Sequence, residues 1–153
     1  MTLCQAAQTY PVAGLNHSML EGQEDAFNTC VTFLEDVDKI KAQNRRHGSY
    51  GLKHIVENPA GHFGIPSSWD CYTTYIYEGT FILAAQASGF SMVQSGEYLH
   101  VTFNMSERSL RRRAIEFARE FAKASRVECM AYARGSQPPA DGVTCCPTSG
   151  QRG

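Results

Sequence analysis

The sequence predicts a small α+β domain of about four helices and a two- or three-stranded antiparallel sheet. Apolar residues recur at spacings of three and four in several segments, which is the helical period. In residues 99–105 they alternate strictly with polar ones, which is the period of a half-buried strand. A length of 153 residues allows one core but not two ordinary domains.

The first long helix is predicted to begin at Gln23 and to end at Gly48. Acidic residues lie early and basic residues late in this segment, as the helix dipole favours. A second helix is predicted from Ser49, which would cap it, to Glu57. Its inward side is Leu52, Ile55 and Val56, with Tyr50, Lys53, His54 and Glu57 on the outer side. The inward stripe of the first helix is Phe27, Cys30, Val31, Leu34, Val37 and Ile40.

Residues 58–70 contain two prolines, two glycines and the only tryptophan of the chain, which predicts a loop. A central, buried helix is predicted for Tyr75–Ser88, and it ends at Gly89. A hairpin follows, with strands at residues 90–94 and 99–105 and a turn at Ser95-Gly96.

Ser106 is predicted to cap the last long helix. The segment VECMAY, residues 127–132, is the candidate for a third strand. The predicted organisation is a loosely ordered lead-in at 1–22, a globular domain at 23–134 and a tail at 135–153. The inward stripe of the last helix is Leu110, Ala114, Phe117, Ala118 and Phe121.

Composition favours a soluble globular protein, with 42 % hydrophobic and 19 % charged residues. We expect no membrane span, no secretion signal and no cofactor, and a cytoplasmic location where the cysteines remain thiols. No pair of cysteines has the spacing of a structural zinc site, so no metal is expected. The alternative metal set would combine His100 with Cys129, Cys145 and Cys146.

Charge is strongly segregated along the chain, although the net charge is only −1. Residues 39–54 carry five bases and no acid, and residues 107–126 carry seven bases against three acids. Residues 1–38 carry no Lys or Arg, and their six acids are Glu21, Glu24, Asp25, Glu35, Asp36 and Asp38. This segregation predicts separate acidic and basic surfaces.

The basic segments are the clearest candidates for binding. Arginine with tyrosine and histidine is the mixture that contacts phosphates and stacks on bases. The segment from Ser106 adds arginines at a helix N-terminus, which is suited to phosphate, although a solvated helix face explains it equally well. The candidate basic and aromatic patch comprises Arg45, Arg46, Tyr50, Lys53, His54, Trp69, Tyr72, Arg108, Arg111 and Arg112.

Catalysis has weaker support. No GxSxG, GxxxxGK[ST] or GxGxxG motif is present. Tyr50, His54 and Glu57 lie on one side of the predicted second helix and could form an acid–base group. An exposed polar contact one turn apart explains the same spacing, so we expect no enzyme.

The segments NRRHGSYGLKHIVE, YIYEGTFILAAQASGF and FNMSERSLR resemble a group of short proteins of phages, plasmids and other mobile elements. The resemblance covers residues 44–113 and supplies no catalytic residue. It implies a regulator of the element's own genes or an inhibitor of a host defence such as a CRISPR effector complex. We therefore expect a non-enzymatic inhibitor whose acidic face addresses a host protein complex. The alternative is a DNA-binding regulator that uses the helix from Ser106.

Overall fold

The computed structural model describes residues 1–64, 75–94 and 99–133. The fold is α+β, with a three-stranded antiparallel sheet of order β1-β3-β2, and these residues form one domain. The helices are α1 (Leu3–Thr9), α2 (Glu24–Leu34), α3 (Ser49–Glu57), α4 (Pro59–His62), α5 (Glu78–Ala87) and α6 (Glu107–Ala133), with a 3₁₀-helix at His17–Leu20. The strands are β1 (Lys39–Gly48), β2 (Met92–Gln94) and β3 (Val101–Met105).

Helix α5 is the centre of the core. Its residues Gly79–Ala85 are all buried, and α1, α2 and α3 pack around it. The ring of Phe81 meets Phe103 of β3 with centroids 6.0 Å apart, which joins the helical layer to the sheet. A helix that is apolar on every side must be covered on every side by neighbouring elements. The burial of Gly79–Ala85 confirms the predicted central position of this helix.

The prediction of one helix from Gln23 to Gly48 is wrong in its second half. Helix α2 ends at Leu34, and the chain then forms strand β1 along the free edge of β3. Val37 of the predicted stripe is buried, but Ile40 is 40 % exposed. The helical spacing therefore continued by coincidence beyond residue 37. Residues 39–48 are mostly polar and have no marked strand propensity, yet they pair with the edge of β3. Pairing with an existing strand therefore outweighs the intrinsic preference of these residues for strand or helix.

The hairpin of β2 and β3 is confirmed, with Met92 opposite Phe103 and Gln94 opposite Val101. Its predicted turn, Ser95-Gly96, lies outside the described residues. Alternation in β3 is as predicted, since Val101, Phe103 and Met105 are buried and the residues between them are partly exposed. The proposed third strand at residues 127–132 is wrong, because this segment belongs to α6 and the third strand is β1.

The N-terminal 22 residues, predicted to be a loosely ordered lead-in, contain helix α1. A capping box formed by Thr2 and Gln5 begins this helix, and Leu3 and Ala6 are buried against the core. Part of this segment therefore belongs to the packed structure. The predicted tail at 135–153 lies outside the described residues.

Ser49 begins α3 but does not cap it; Gly48 occupies the cap position. The Ser49 hydroxyl is buried instead, where it donates to the carboxylate of Glu78 and accepts the N–H of Val101 at 3.1 Å. This serine therefore joins α3, α5 and β3. By contrast, Ser106 caps α6 as predicted, since its hydroxyl accepts the N–H of Ser109 at 3.4 Å.

Candidate functional site

Strand β1 is an edge strand that bulges twice. Between Lys39 and Asn44 it advances five residues while β3 advances only two, from Met105 to Phe103. From Asn44 to Gly48 it advances four residues while β3 advances one. The excess residues cannot join the ladder and are pushed outward, which also protects the edge from pairing with other strands.

Asparagine side chains stabilise both bulges. Asn44 Oδ1 accepts the N–H of Arg46 at 3.0 Å, which turns the backbone locally. Asn104 Nδ2 of β3 donates to the carbonyl of Ile40 at 3.1 Å, so a side chain replaces the missing ladder bond. The outward course of β1 is thus a built feature of the sheet.

The bulged strand exposes four basic side chains, Lys39, Lys41, Arg45 and Arg46, which we call the basic ridge. Lys39 Nζ lies 5.2 Å above the ring of Phe90. Within the described part of the chain, no salt bridge includes any of the four. Although the charge of Arg46 also acts on Glu107, all four side chains are exposed and can meet an external anion.

Glu107 connects the ridge to the start of α6. Its carboxylate accepts Asn44 Nδ2 at 3.2 Å and is hydrogen-bonded to His47 Nε2 at 3.1 Å. Burial opposes ionisation of this carboxyl, but the hydrogen bonds from His47 and Asn44 and the charges of His47 and Arg46 outweigh it, so the pKa of Glu107 is lowered. The contact places the first turn of α6 beside the ridge.

The arginines of α6 do not form one surface. Arg108 and Arg111 are exposed, as a binding role requires. Arg112 Nη2 donates to the carbonyl of Asp36 at 3.2 Å and lies 3.7 Å from the Asp38 carboxylate. Arg112 is therefore partly engaged inside the molecule.

Arg113 is buried and structural, which its sequence position in an arginine run did not indicate. Its guanidinium donates to the carbonyls of Thr32 and Phe33, each at 3.3 Å, in the last turn of α2. It also bonds to Glu120 at 3.1 Å and lies over the ring of Phe117 at 5.0 Å. Arg113 thus satisfies the carbonyl end of α2, where a cation is favoured.

The predicted acidic face is divided as well. The carboxylate of Glu24 accepts the N–H of Leu3 at 3.2 Å at the start of α1. Asp36 lies 3.5 Å from Arg113, and Asp38 pairs with Arg112. Glu21, Asp25 and Glu35 are exposed, and no salt bridge among the described residues includes them.

Tyr50, Lys53, His54 and Glu57 are brought together on α3. The rings of Tyr50 and His54 meet edge to face with centroids 4.5 Å apart, and His54 Nδ1 lies 2.6 Å from Glu57 Oε2. Lys53 was expected on the outer side but is only 3 % exposed, with Nζ 2.9 Å from Glu57 Oε1. The predicted outer side of α3 therefore contains a buried cation.

Two residues missed by the sequence analysis join this region. Tyr75 lies against Lys53, whose Nζ is 4.9 Å from its ring centroid, although the two are far apart in sequence. His62 of α4 meets His47 with ring centroids 5.6 Å apart. Burial lowers the pKa of His62, the charge of His47 adds to this, and Glu107 opposes it. No sequence signal places either residue here, because long-range packing does so.

Trp69 and Tyr72 lie outside the described residues, as do Cys71, Cys145 and Cys146. Cys4 is an exposed free thiol and Cys30 a buried one, and burial raises the pKa of the Cys30 thiol. Within residues 1–64, 75–94 and 99–133, no group of three or more His, Cys, Asp or Glu is arranged to hold a metal ion.

No protein-family model matches the chain, and neither a curated protein nor a solved structure matches it. None of the described helices has the length and apolar character needed to cross a bilayer.

Proposed function

We propose that this chain is a binding protein whose basic ridge contacts the phosphate backbone of a nucleic acid. The observation that supports the proposal is the exposure of four bases on one bulged strand, with no carboxylate paired to them among the described residues. Lysine and arginine on an exposed surface supply the sequence-independent part of nucleic-acid affinity. Glu107 holds the start of α6 against Asn44 and His47 of β1, and the exposed Arg108 and Arg111 of the same helix are proposed to add to the contact.

The role is proposed to be non-enzymatic. Among Tyr50, His54 and Glu57, a carboxylate that acts as the general base would need an oxygen free of other contacts. Both of its oxygens are engaged, by Lys53 Nζ, by His54 Nδ1 and by the N–H of Ile76 at 2.8 Å. These three contacts join α3 to the segment that precedes α5, which is a structural use of the carboxylate. In the mobile-element setting that the resemblance implies, a binding protein of this kind would regulate the element's own genes.

A salt titration with a labelled DNA duplex tests the ridge. Each phosphate contact contributes a slope of about −0.9 to the dependence of log affinity on log salt concentration. We expect a wild-type slope of about −3 to −4 if the four ridge bases are used. Arg45→Ala/Arg46→Ala should reduce it by roughly 2, whereas Lys123→Ala, an exposed base elsewhere on α6, should change neither slope nor affinity. Absence of binding at low salt, both to the duplex and to a single strand of the same length, would refute the proposal.

A second candidate function is inhibition of a host complex that handles nucleic acid. In this role the acidic surface of the chain would contact a basic groove of the host protein. The exposed Glu21, Asp25 and Glu35 favour it, because none of them is paired among the described residues. Charge complementarity of this kind mainly raises association rates. The test is inhibition of target binding by a purified CRISPR effector complex. Inhibition by the wild type and its loss in Asp25→Lys/Glu35→Lys would support this role, and no inhibition would refute it.

A further inference from the structure

Two exposed tyrosines lie at helix α3, which directly follows strand β1: Tyr50 belongs to this helix and Tyr75 lies against its Lys53. Tyr50 and Tyr75 are 55 % and 61 % exposed, more than any other tyrosine or phenylalanine in the described part of the chain. Single exposed aromatic residues are common on protein surfaces, but two rings that contact one lysine form an arrangement that can bind planar groups. Their exposed faces suit a ligand with an aromatic face.

Both rings are positioned by the same buried cation. Lys53 Nζ lies 5.2 Å from the ring centroid of Tyr50 and 4.9 Å from that of Tyr75. The ammonium is itself fixed by Glu57 Oε1, which also accepts the N–H of Ile76, the residue next to Tyr75. Pre-positioned rings lose little conformational entropy when a ligand stacks on them.

The first tyrosine of the pair, Tyr50, follows closely after the strand that forms the ridge. Strand β1 ends at Gly48, Ser49 begins α3, and Tyr50 is the next residue. Arg46 and Tyr50 are only four residues apart, so one strand of nucleic acid that places phosphates on Arg45 and Arg46 can also reach the ring of Tyr50. In a duplex the faces of the bases are covered by their neighbours, so only unpaired bases can use the rings.

We propose that Tyr50 and Tyr75 form a stacking platform for unpaired bases, and that the preferred ligand is a single-stranded nucleic acid. The inference rests on the proposed function, since the ridge supplies the phosphate contacts. DNA and RNA share the chemistry that is recognised, namely a planar base on each ring and a phosphate on each arginine.

The experiment compares fluorescence anisotropy of labelled oligo-dT, oligo-rU and a DNA duplex of equal length, about 15 nucleotides, at one salt concentration. We expect the single strands to bind about tenfold more tightly than the duplex. Tyr50→Ala and Tyr75→Ala should each weaken single-strand binding about tenfold and leave duplex binding unchanged. Tyr50→Phe and Tyr75→Phe retain the ring face and should bind like the wild type. Val93→Ala, at a 50 % exposed apolar residue of β2, is the matched control.

The possible outcomes separate the two proposals. Loss of duplex and single-strand binding in the same proportion would overturn the platform, because stacking affects only unpaired bases. Duplex binding that equals single-strand binding, with the alanine variants unaffected, would overturn the platform and leave the ridge in place. If neither ligand binds, the proposed function fails as well. Circular dichroism of each variant confirms that a loss of affinity is not a loss of fold.

Discussion

The two basic segments of the chain, residues 39–46 and residues 107–113, have similar composition but different roles in the structure. The bases of β1 are exposed, and no salt bridge among the described residues includes them. In α6, Arg113 is buried against the end of α2 and Arg112 contacts Asp36 and Asp38. The difference arises because α6 passes the unsatisfied carbonyls of a helix end, whereas β1 lies on an edge. Whether a basic side chain is free to bind an external anion therefore depends on whether unsatisfied backbone carbonyls lie within its reach.

The largest expected effect comes from Arg113. Arg113→Ala leaves the carbonyls of Thr32 and Phe33 without their donor and removes the contact with Phe117. We expect the free energy of unfolding, measured by urea denaturation, to fall by about 2–4 kcal/mol. Arg111→Ala, two residues earlier and exposed, should change it by less than about 0.5 kcal/mol. Equal stability of the two variants would show that Arg113 has no capping role.

A smaller effect is expected at Lys53, the one base of residues 39–54 that is buried. Lys53→Met keeps the aliphatic stem but removes the ion pair with Glu57, whose side chain is only 13 % exposed. We expect a loss of about 1–3 kcal/mol in the same assay, because a poorly solvated carboxylate loses a partner. Lys41→Met, at an exposed position of β1, is the control and should be neutral. If Lys53→Met leaves the free energy of unfolding unchanged, the buried ion pair of Lys53 does not contribute more to stability than the exposed Lys41 does.

These contrasts show what the sequence could and could not predict. Helices α3, α5 and α6 and the strands of the hairpin were predictable, because each has a local apolar period that matches its buried face. Strand β1 was not, because its pairing with β3 is a long-range event and its own residues are polar. The cluster of Tyr50, His54 and Glu57 follows from helical spacing. The burial of Lys53 and Arg113, and the approach of Tyr75, depend on elements distant in sequence.

The link between ridge and α6 is expected to make stability dependent on pH. The pKa of Glu107 is lowered from 4.5 in the folded state, so its contribution is present above that pH and is lost as the pH falls below it. The pKa of His62 is lowered from 6.5, so its protonation destabilises the fold as the pH falls below that value. Melting temperatures should therefore decline in two ranges on acidification. His62→Gln should flatten the upper range and Glu107→Gln the lower one; unchanged profiles would contradict these contacts.

The smallest expected effect on stability is that of the ridge itself. Arg45→Ala/Arg46→Ala removes two exposed side chains that form no salt bridge among the described residues. We therefore expect the free energy of unfolding, measured by urea denaturation, to change by less than about 0.5 kcal/mol. A large loss would mean that these arginines support the second bulge of β1. Stability close to the wild type makes the double variant a clean probe of binding.

The most direct test of the central claim compares two double variants in one salt titration with labelled nucleic acid. The claim is that β1, rather than the start of α6, provides the main phosphate contacts. It predicts that Arg45→Ala/Arg46→Ala reduces the salt slope by roughly 2, and Arg108→Ala/Arg111→Ala by less. A larger loss in the α6 pair would contradict the claim and assign the contact to the helix that begins after Ser106.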